Sequence, residues 1–236
     1  MKERMIYSAI QTPCAKEISR FCNNNMSISE TIECIKNNRN QVAESCEKEL
    51  AKQLGSIPLR TSEVYKGVKL PQGTVFYYPD PFDKNTLAIL SENIEHNGIH
   101  FKKGQMYFHE AGISSGTLAG EQIVNGIKLS NRISFHKTGK LRSGLLVENT
   151  DFEGIQYKGG REIVFLENGE VESGVLAEDT AFKGIQFKGG KEIHFFSKNK
   201  VRYGILAKTT SINGKVYETG QTIYFNQDGI FRDAYY

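Results

Sequence analysis

The sequence predicts a mainly β repeat array of about six 30-residue, three-stranded units, solenoid or meander-like, with a small N-terminal α-hairpin that carries every cysteine. Three observations lead there. The stretch Phe152–Phe165, FEGIQYKGGREIVF, returns at Phe182–Phe195 as FKGIQFKGGKEIHF, with ten of fourteen positions identical. Its glycine recurs as Gly67, Gly98, Gly126, Gly154, Gly184 and Gly214, and two further columns keep step with it. One is Phe76, Phe108, Phe135, Phe165, Phe195 and Phe225; the other is Leu-Ala or its variant, as at Leu146-Val147, Leu176-Ala177 and Leu206-Ala207. Finally, Cys14, Cys22, Cys34 and Cys46 all lie in the first fifty residues, in sequence unlike the rest. These observations divide the chain into a tail (1–13), a cysteine-rich hairpin (14–50), a linker (51–62) and the β-repeat domain (63–236).

Taken in order, the segment MKERMIYSAIQTP has no apolar stretch of the length a signal peptide needs. Between the cysteines the sequence is helix-like, with NNN at 23–25 as its break. Ser27 or Ser29 is the expected cap of a second helix, with Glu30 and Glu33 in its early turns. Four cysteines allow three pairings. An antiparallel hairpin nests only one of them, Cys22 with Cys34 near the bend and Cys14 with Cys46 at the open end. The spacing alone is equally consistent with four buried thiols in a reduced cytosolic hairpin. Zinc is not expected, because no Cys-x2–4-Cys knuckle is present.

CAKEISRFC followed by CIKNNRNQVAESC resembles the cysteine-rich repeat of Golgi apparatus sialoglycoproteins, which also occurs in exported bacterial proteins. The matching residues are Cys14, Glu17-Ile18 (Asp-Ile is usual), Phe21-Cys22, Cys34-Ile35 and Cys46. The resemblance covers Cys14 to Leu50. It implies a disulfide-linked helical module in an oxidising compartment, periplasmic or secreted, and no catalytic residues. Export then requires a signal removed from Met1 or another route, and a cytoplasmic location goes with the reduced alternative.

Each repeat reads as three strands, in the fifth AFKGIQFK, KEIHFF and VRYGILA. Ile185 and Phe187 alternate with Gln186, and Ile193 and Phe195 with His194, so one face is buried. Gly159-Gly160 and Asn168-Gly169 mark hairpin turns. Phe152 and Ile155 are three residues apart, which strict alternation would place on opposite faces. A bulge at Gly154 that resets the phase is expected, and likewise at Gly174; the other reading of such a glycine is avoidance of a clash with the neighbouring repeat. Three strands per repeat would turn successive repeats over in a meander, which favours a coil with one unit per turn or a ring of blades, whereas the turn signals favour antiparallel neighbours; closure stays open. Pro79 and Pro81 in the first repeat and Ala234 in the last mark atypical ends, as caps of a stacked array require. ENGEVESGVLA resembles MORN-type bacterial β-hairpin repeats, but the period differs and the regular Tyr-x-Gly start is missing.

Composition removes several functions. Thirty basic against 27 acidic residues give a net charge of +3 with no Lys/Arg block, so no nucleic-acid partner is expected. No apolar run approaches the ~20 residues of a membrane-spanning helix. Candidate chemistry falls on repeat slots. His100 shares a slot with Lys128, Gln156 and Gln186; Ser115 aligns with Ser143 and Ser173; His109 and His136 both follow the phenylalanine column, where neighbouring repeats would form a surface ladder. No catalytic residue, metal or cofactor is assigned. The expectation is a non-enzymatic, exported bacterial repeat protein that presents an extended β surface to a protein or glycan partner. Its variable slots are 156, 158, 162, 164 and 172, and Tyr203, Tyr224, Tyr235 and Tyr236 are candidate contacts. Two alternatives are an enzyme or effector with a site in the irregular segment 70–109, and a cytosolic scaffold.

Overall fold

The computed structural model describes residues 2–23, 25–38, 41–43, 45, 46, 49, 53, 57–59, 61–77, 86–198 and 200–232. The chain divides into two compact parts, one of Met1–Ile94 with Lys103–Glu110, the other of Glu95–Lys102 with Ala111–Tyr236.

Three helices can be delimited among the described residues of the head, α1 (Lys2–Gln11), α2 (Ala15–Phe21) and α3 (Ile28–Asn37). Within the segment 1–13, read from sequence as a tail, Lys2–Gln11 is helical and stops short of Pro13, and Ile6 and Ile10, one turn apart, share a face. Both are buried, with Cys14, Cys22, Ile32, Ile35, Val42 and Cys46, in one apolar cluster. Cys14 is bonded to Cys46 and Cys22 to Cys34, the nested pairing. Ser27 is the cap of α3: its backbone N–H donates to Glu30 Oε2 at 2.7 Å, and Glu30 N–H donates back to Ser27 Oγ at 3.3 Å. These two bonds satisfy amides that the helix start leaves without partners. The buried Glu17 accepts the Ala43 N–H at 2.9 Å through Oε1, tying α2 to the segment after α3.

In the first part, Ile57–Pro58, Val75–Tyr77, Thr86–Leu90 and residues 104–108 pair antiparallel in that order. Tyr65, from the hairpin Glu63–Tyr65/Val68–Leu70, packs against Phe76 and Phe108. In the second part the strands Gly112–Leu118, Ile127–Phe135, Leu141–Leu146, Glu162–Phe165, Val171–Val175, Glu192–Ser197, Lys200–Ile205, Thr222–Phe225 and Phe231–Arg232 form an antiparallel meander, each beside the next. The fold is thus mainly β with a large antiparallel sheet.

The first, fourth, fifth and sixth repeats contain four strands where three were expected; the second and third keep three, because the returning hairpin strand runs on into the sheet as Ile99–His109 and Ile127–Phe135. The stretch read as one strand with a bulge is itself a hairpin: Thr150–Phe152 turns through Glu153-Gly154 and returns as Ile155–Tyr157, with Phe152 opposite Ile155. Glu153 and Gly154 both have positive φ, 57° and 85°, as a two-residue type I′ turn demands. The same pair of angles recurs at Lys183-Gly184 and at Asn213-Gly214. Two strands of every repeat lie in the meander, which brings each repeat back to the same orientation, so the meander and the identity of the repeats no longer conflict.

The hairpins lie on one face of the sheet. Ala177 N–H donates to Gln156 O at 2.8 Å, and Ala207 N–H to Gln186 O at 2.9 Å, while the leucines of the same column, Leu146, Leu176 and Leu206, are buried. Phe152 meets Phe165 edge-on at 5.4 Å, and Phe182 meets Phe195 at the same 5.4 Å. Phe165, Phe195, Ile163 and Ile193 are buried in this seam. Gly174 is the site of a close approach instead of a bulge: a Cβ there would sit 2.7 Å from the Tyr157 ring. The extra residue is Glu172, since Val164 pairs with Ser173 but Phe165 with Val171.

Candidate binding grooves

A cleft of about 410 Å³ opens where a hairpin overhangs the next pair of sheet strands. Phe152, Ile155, Tyr157, Val171 and Phe195 form its apolar floor. Its rim carries Asp151 and Glu153 from the hairpin, Glu170 from the turn after Glu162–Phe165, and Lys198 from the following turn. Lys198 Nζ lies 2.9 Å from Glu153 Oε1. The Lys198 backbone N–H donates to Glu170 Oε2 at 3.0 Å. That bond, a second from Asn168 and the Lys198 charge hold the Glu170 carboxyl below the usual carboxylate range. Burial, with a smaller contribution from Glu153, pushes the Tyr157 hydroxyl well above the usual tyrosine range. Tyr157 is therefore a neutral wall of the cleft, not a base.

One repeat on, the equivalent cleft keeps the floor as Phe182, Ile185, Phe187, Val201 and Phe225 but shrinks to about 30 Å³. Its rim is inverted: Lys183 stands in the slot of Glu153 and Lys200 in that of Glu170. One repeat back, the Glu170 slot holds Lys140, whose Nζ donates to Glu167 O at 3.1 Å. A constant floor with alternating rim charge is visible in sequence only when slots 30 residues apart are compared for sign instead of identity.

The candidates read from sequence take other positions. Tyr203 and Tyr224 are half-buried on the sheet face opposite the seam, in register with His194. The His194 and Tyr203 rings stack at 4.0 Å and 19°, and Tyr224 leans on Tyr203 at 5.7 Å. The three form a cross-strand row, as aromatic neighbours on adjacent strands commonly do. Tyr235 and Tyr236 lie outside the described residues, as do Pro79, Pro81 and Ala234. Ser115 is buried and accepts a bond from Arg132 Nη2 at 2.8 Å. Among the variable slots, Lys158 and Glu162 are exposed, whereas Gln156, Val164 and Glu172 are half-buried.

The histidines are dispersed. His100 Nδ1 is 4.0 Å from Glu95 Oε2, His96 bonds Asn97, His109 is buried, and His136 Nε2 bonds Phe165 O at 2.8 Å. Among the described residues no group of three or more His, Cys, Asp or Glu is placed to hold a metal ion. Of the segment 70–109, residues 78–85 lie outside the described residues; Val75–Tyr77, Thr86–Leu90 and 104–108 are regular ladder. No helix among the described residues is long and apolar enough to cross a membrane. The chain matches no protein-family model, no curated protein and no solved structure.

Proposed function

We propose that this is a non-enzymatic, exported bacterial repeat protein that binds a partner through the row of grooves beneath its hairpins. The observation that carries the reading is the pair of adjacent clefts with matching floors and opposite rims. A scaffold held constant while its rims vary is how repeat proteins acquire recognition surfaces. The larger cleft, apolar below and charged above, falls within the size range of ligand sites, roughly 300–1,000 Å³. A protein partner fits this better than a glycan stacked on Tyr203, whose ring is flanked by His194 and Tyr224. The two disulfides favour an oxidising compartment.

The test is retention of the intact protein on arrayed extracellular proteins and glycans, beside Glu153→Gln/Glu170→Gln and Tyr203→Ala. Retention that the rim pair removes and Tyr203→Ala preserves is the expected result. Equal retention of all three chains, or none of the wild type, overturns the reading. Alkylation of the freshly isolated protein tests the compartment: no free thiol is expected, and four free thiols would sink export.

A further inference from the structure

We propose that the occupant of the acidic groove is a second copy of this chain, docked through its own basic groove; this rests on the groove-binding reading above. The acidic rim sets three carboxylates, Asp151, Glu153 and Glu170, against one ammonium, Lys198. Lys198 is already engaged with Glu153 in the same chain, so the rim keeps an excess of negative charge. Two incoming cations offset that excess, one at the hairpin slot of Glu153, beside Asp151, and one at the turn slot of Glu170. Lys183 and Lys200 occupy those same two slots one repeat later, on matching hairpin and turn, so the chain itself carries the required spacing. Both lysines are exposed.

Adjacent grooves of opposite sign are self-complementary under two-fold symmetry. One repeat adds two sheet strands, so the grooves lie roughly 10 Å apart along the row. A two-fold axis in the contact plane, across the row and midway between them, sets each acidic groove on the other copy's basic one. The contact is then isologous, each patch meeting its complement twice. The open cleft of about 410 Å³ receives the aliphatic stems of the incoming lysines on Phe152, Ile155 and Val171, while their ammonium groups reach the rim. The next cleft, at about 30 Å³, has no room for a side chain and serves as the donor. Lysine stems and carboxylates at a surface make a weak, salt-sensitive contact.

Sedimentation velocity on the full chain tests this over a concentration series. From about 0.01 M to about 1 M salt the screening length falls from about 30 to about 3 Å, so a dimer present at low salt is expected to dissociate at high salt. Glu153→Lys/Glu170→Lys leaves both grooves basic and removes the dimer. Lys183→Glu/Lys200→Glu leaves both acidic and also removes it. Mixing these two variants restores a heterodimer, which a merely misfolded chain cannot do. A wild type that stays monomeric at low salt, or variants that dimerise as well as it does, overturns self-association. The partner reading is judged separately by rim-dependent retention, so the two proposals fail on different observations.

Discussion

The helical head and the repeat sheet solve the same problem, too little core, in opposite ways. The head has one small apolar cluster and closes it covalently, with disulfides spanning 32 and 12 residues. The sheet holds no cysteine and no unit that stands by itself; each repeat buries its aromatic seam against sheet strands shared with its neighbours. The head's stability is therefore concentrated in two bonds, and the sheet's is distributed over columns. A single chemical reagent can remove the first, whereas only mutation column by column can remove the second.

The largest effect is expected in the sheet seam. Phe165→Ala removes a side chain that is 4% exposed and packed on Phe152, and should cost about 3–5 kcal/mol in chemical denaturation. A cost under about 1 kcal/mol would show that the column is surface and would erase the contrast with the head. Reduction comes next. Opening the Cys14–Cys46 loop should cost the head about 3–4 kcal/mol on the chain-entropy account. Circular dichroism should lose helical signal on addition of reductant while the sheet signal and its midpoint stay in place; a shift of both together would mean the two regions are not independent. Smaller is Ser27→Ala, which leaves the first turn of α3 without its cap at about 0.5–2 kcal/mol. In the sheet, Glu162→Ala at an exposed slot should cost under about 0.5 kcal/mol.

The smallest effect is a pH response shared by both regions. Bonds from Ser27 hold the exposed Glu30 carboxyl below its usual range, and the Lys198 amide does the same for Glu170. A lowered carboxylate stabilises the fold above its ordinary value, and that contribution is lost as pH falls through the lowered one. The Ser27 and Lys198 amide resonances should therefore titrate with midpoints below the ordinary glutamate value of about 4.3. Midpoints above it would mean the two bonds are absent in solution.

The columns of phenylalanine, glycine and Leu-Ala carried the repeat and the strand faces, and the four cysteine positions on a helical hairpin carried the nested pairing, because burial and covalent closure both leave residue-type spacing behind. The hairpin was hidden because the two repeats most alike in sequence, the fourth and fifth, are the ones whose turns disguise it. Glu153-Gly154 and Lys183-Gly184, like Lys66-Gly67 in the first repeat, place charged residues at positive φ, whereas the second, third and sixth repeats show Asn97-Gly98, Asn125-Gly126 and Asn213-Gly214 in the same turn. The three Asn-Gly pairs state the hairpin openly. Helix α1 was overlooked because its two isoleucines are a weak amphipathic signal until the disulfide-closed cluster gives them somewhere to go. The grooves were illegible for a different reason. Their walls come from residues some twenty to forty-five positions apart, and the clue is a reversal of charge within a repeat, which a search for identity discards.

A four-strand repeat that ends in the orientation in which it began has a bearing on how such a chain can grow. Inserting one more copy after Val175 shifts everything downstream by two strand spacings, roughly 10 Å, and changes no strand's neighbours in kind. Length is thereby uncoupled from foldability. In-frame duplication of about thirty codons yields another folded protein at once, and the near-identity of the fourth and fifth repeats is the trace such an event leaves. After copying, substitutions at rim slots such as 153 and 170 alter what the surface attracts without disturbing the seam beneath it.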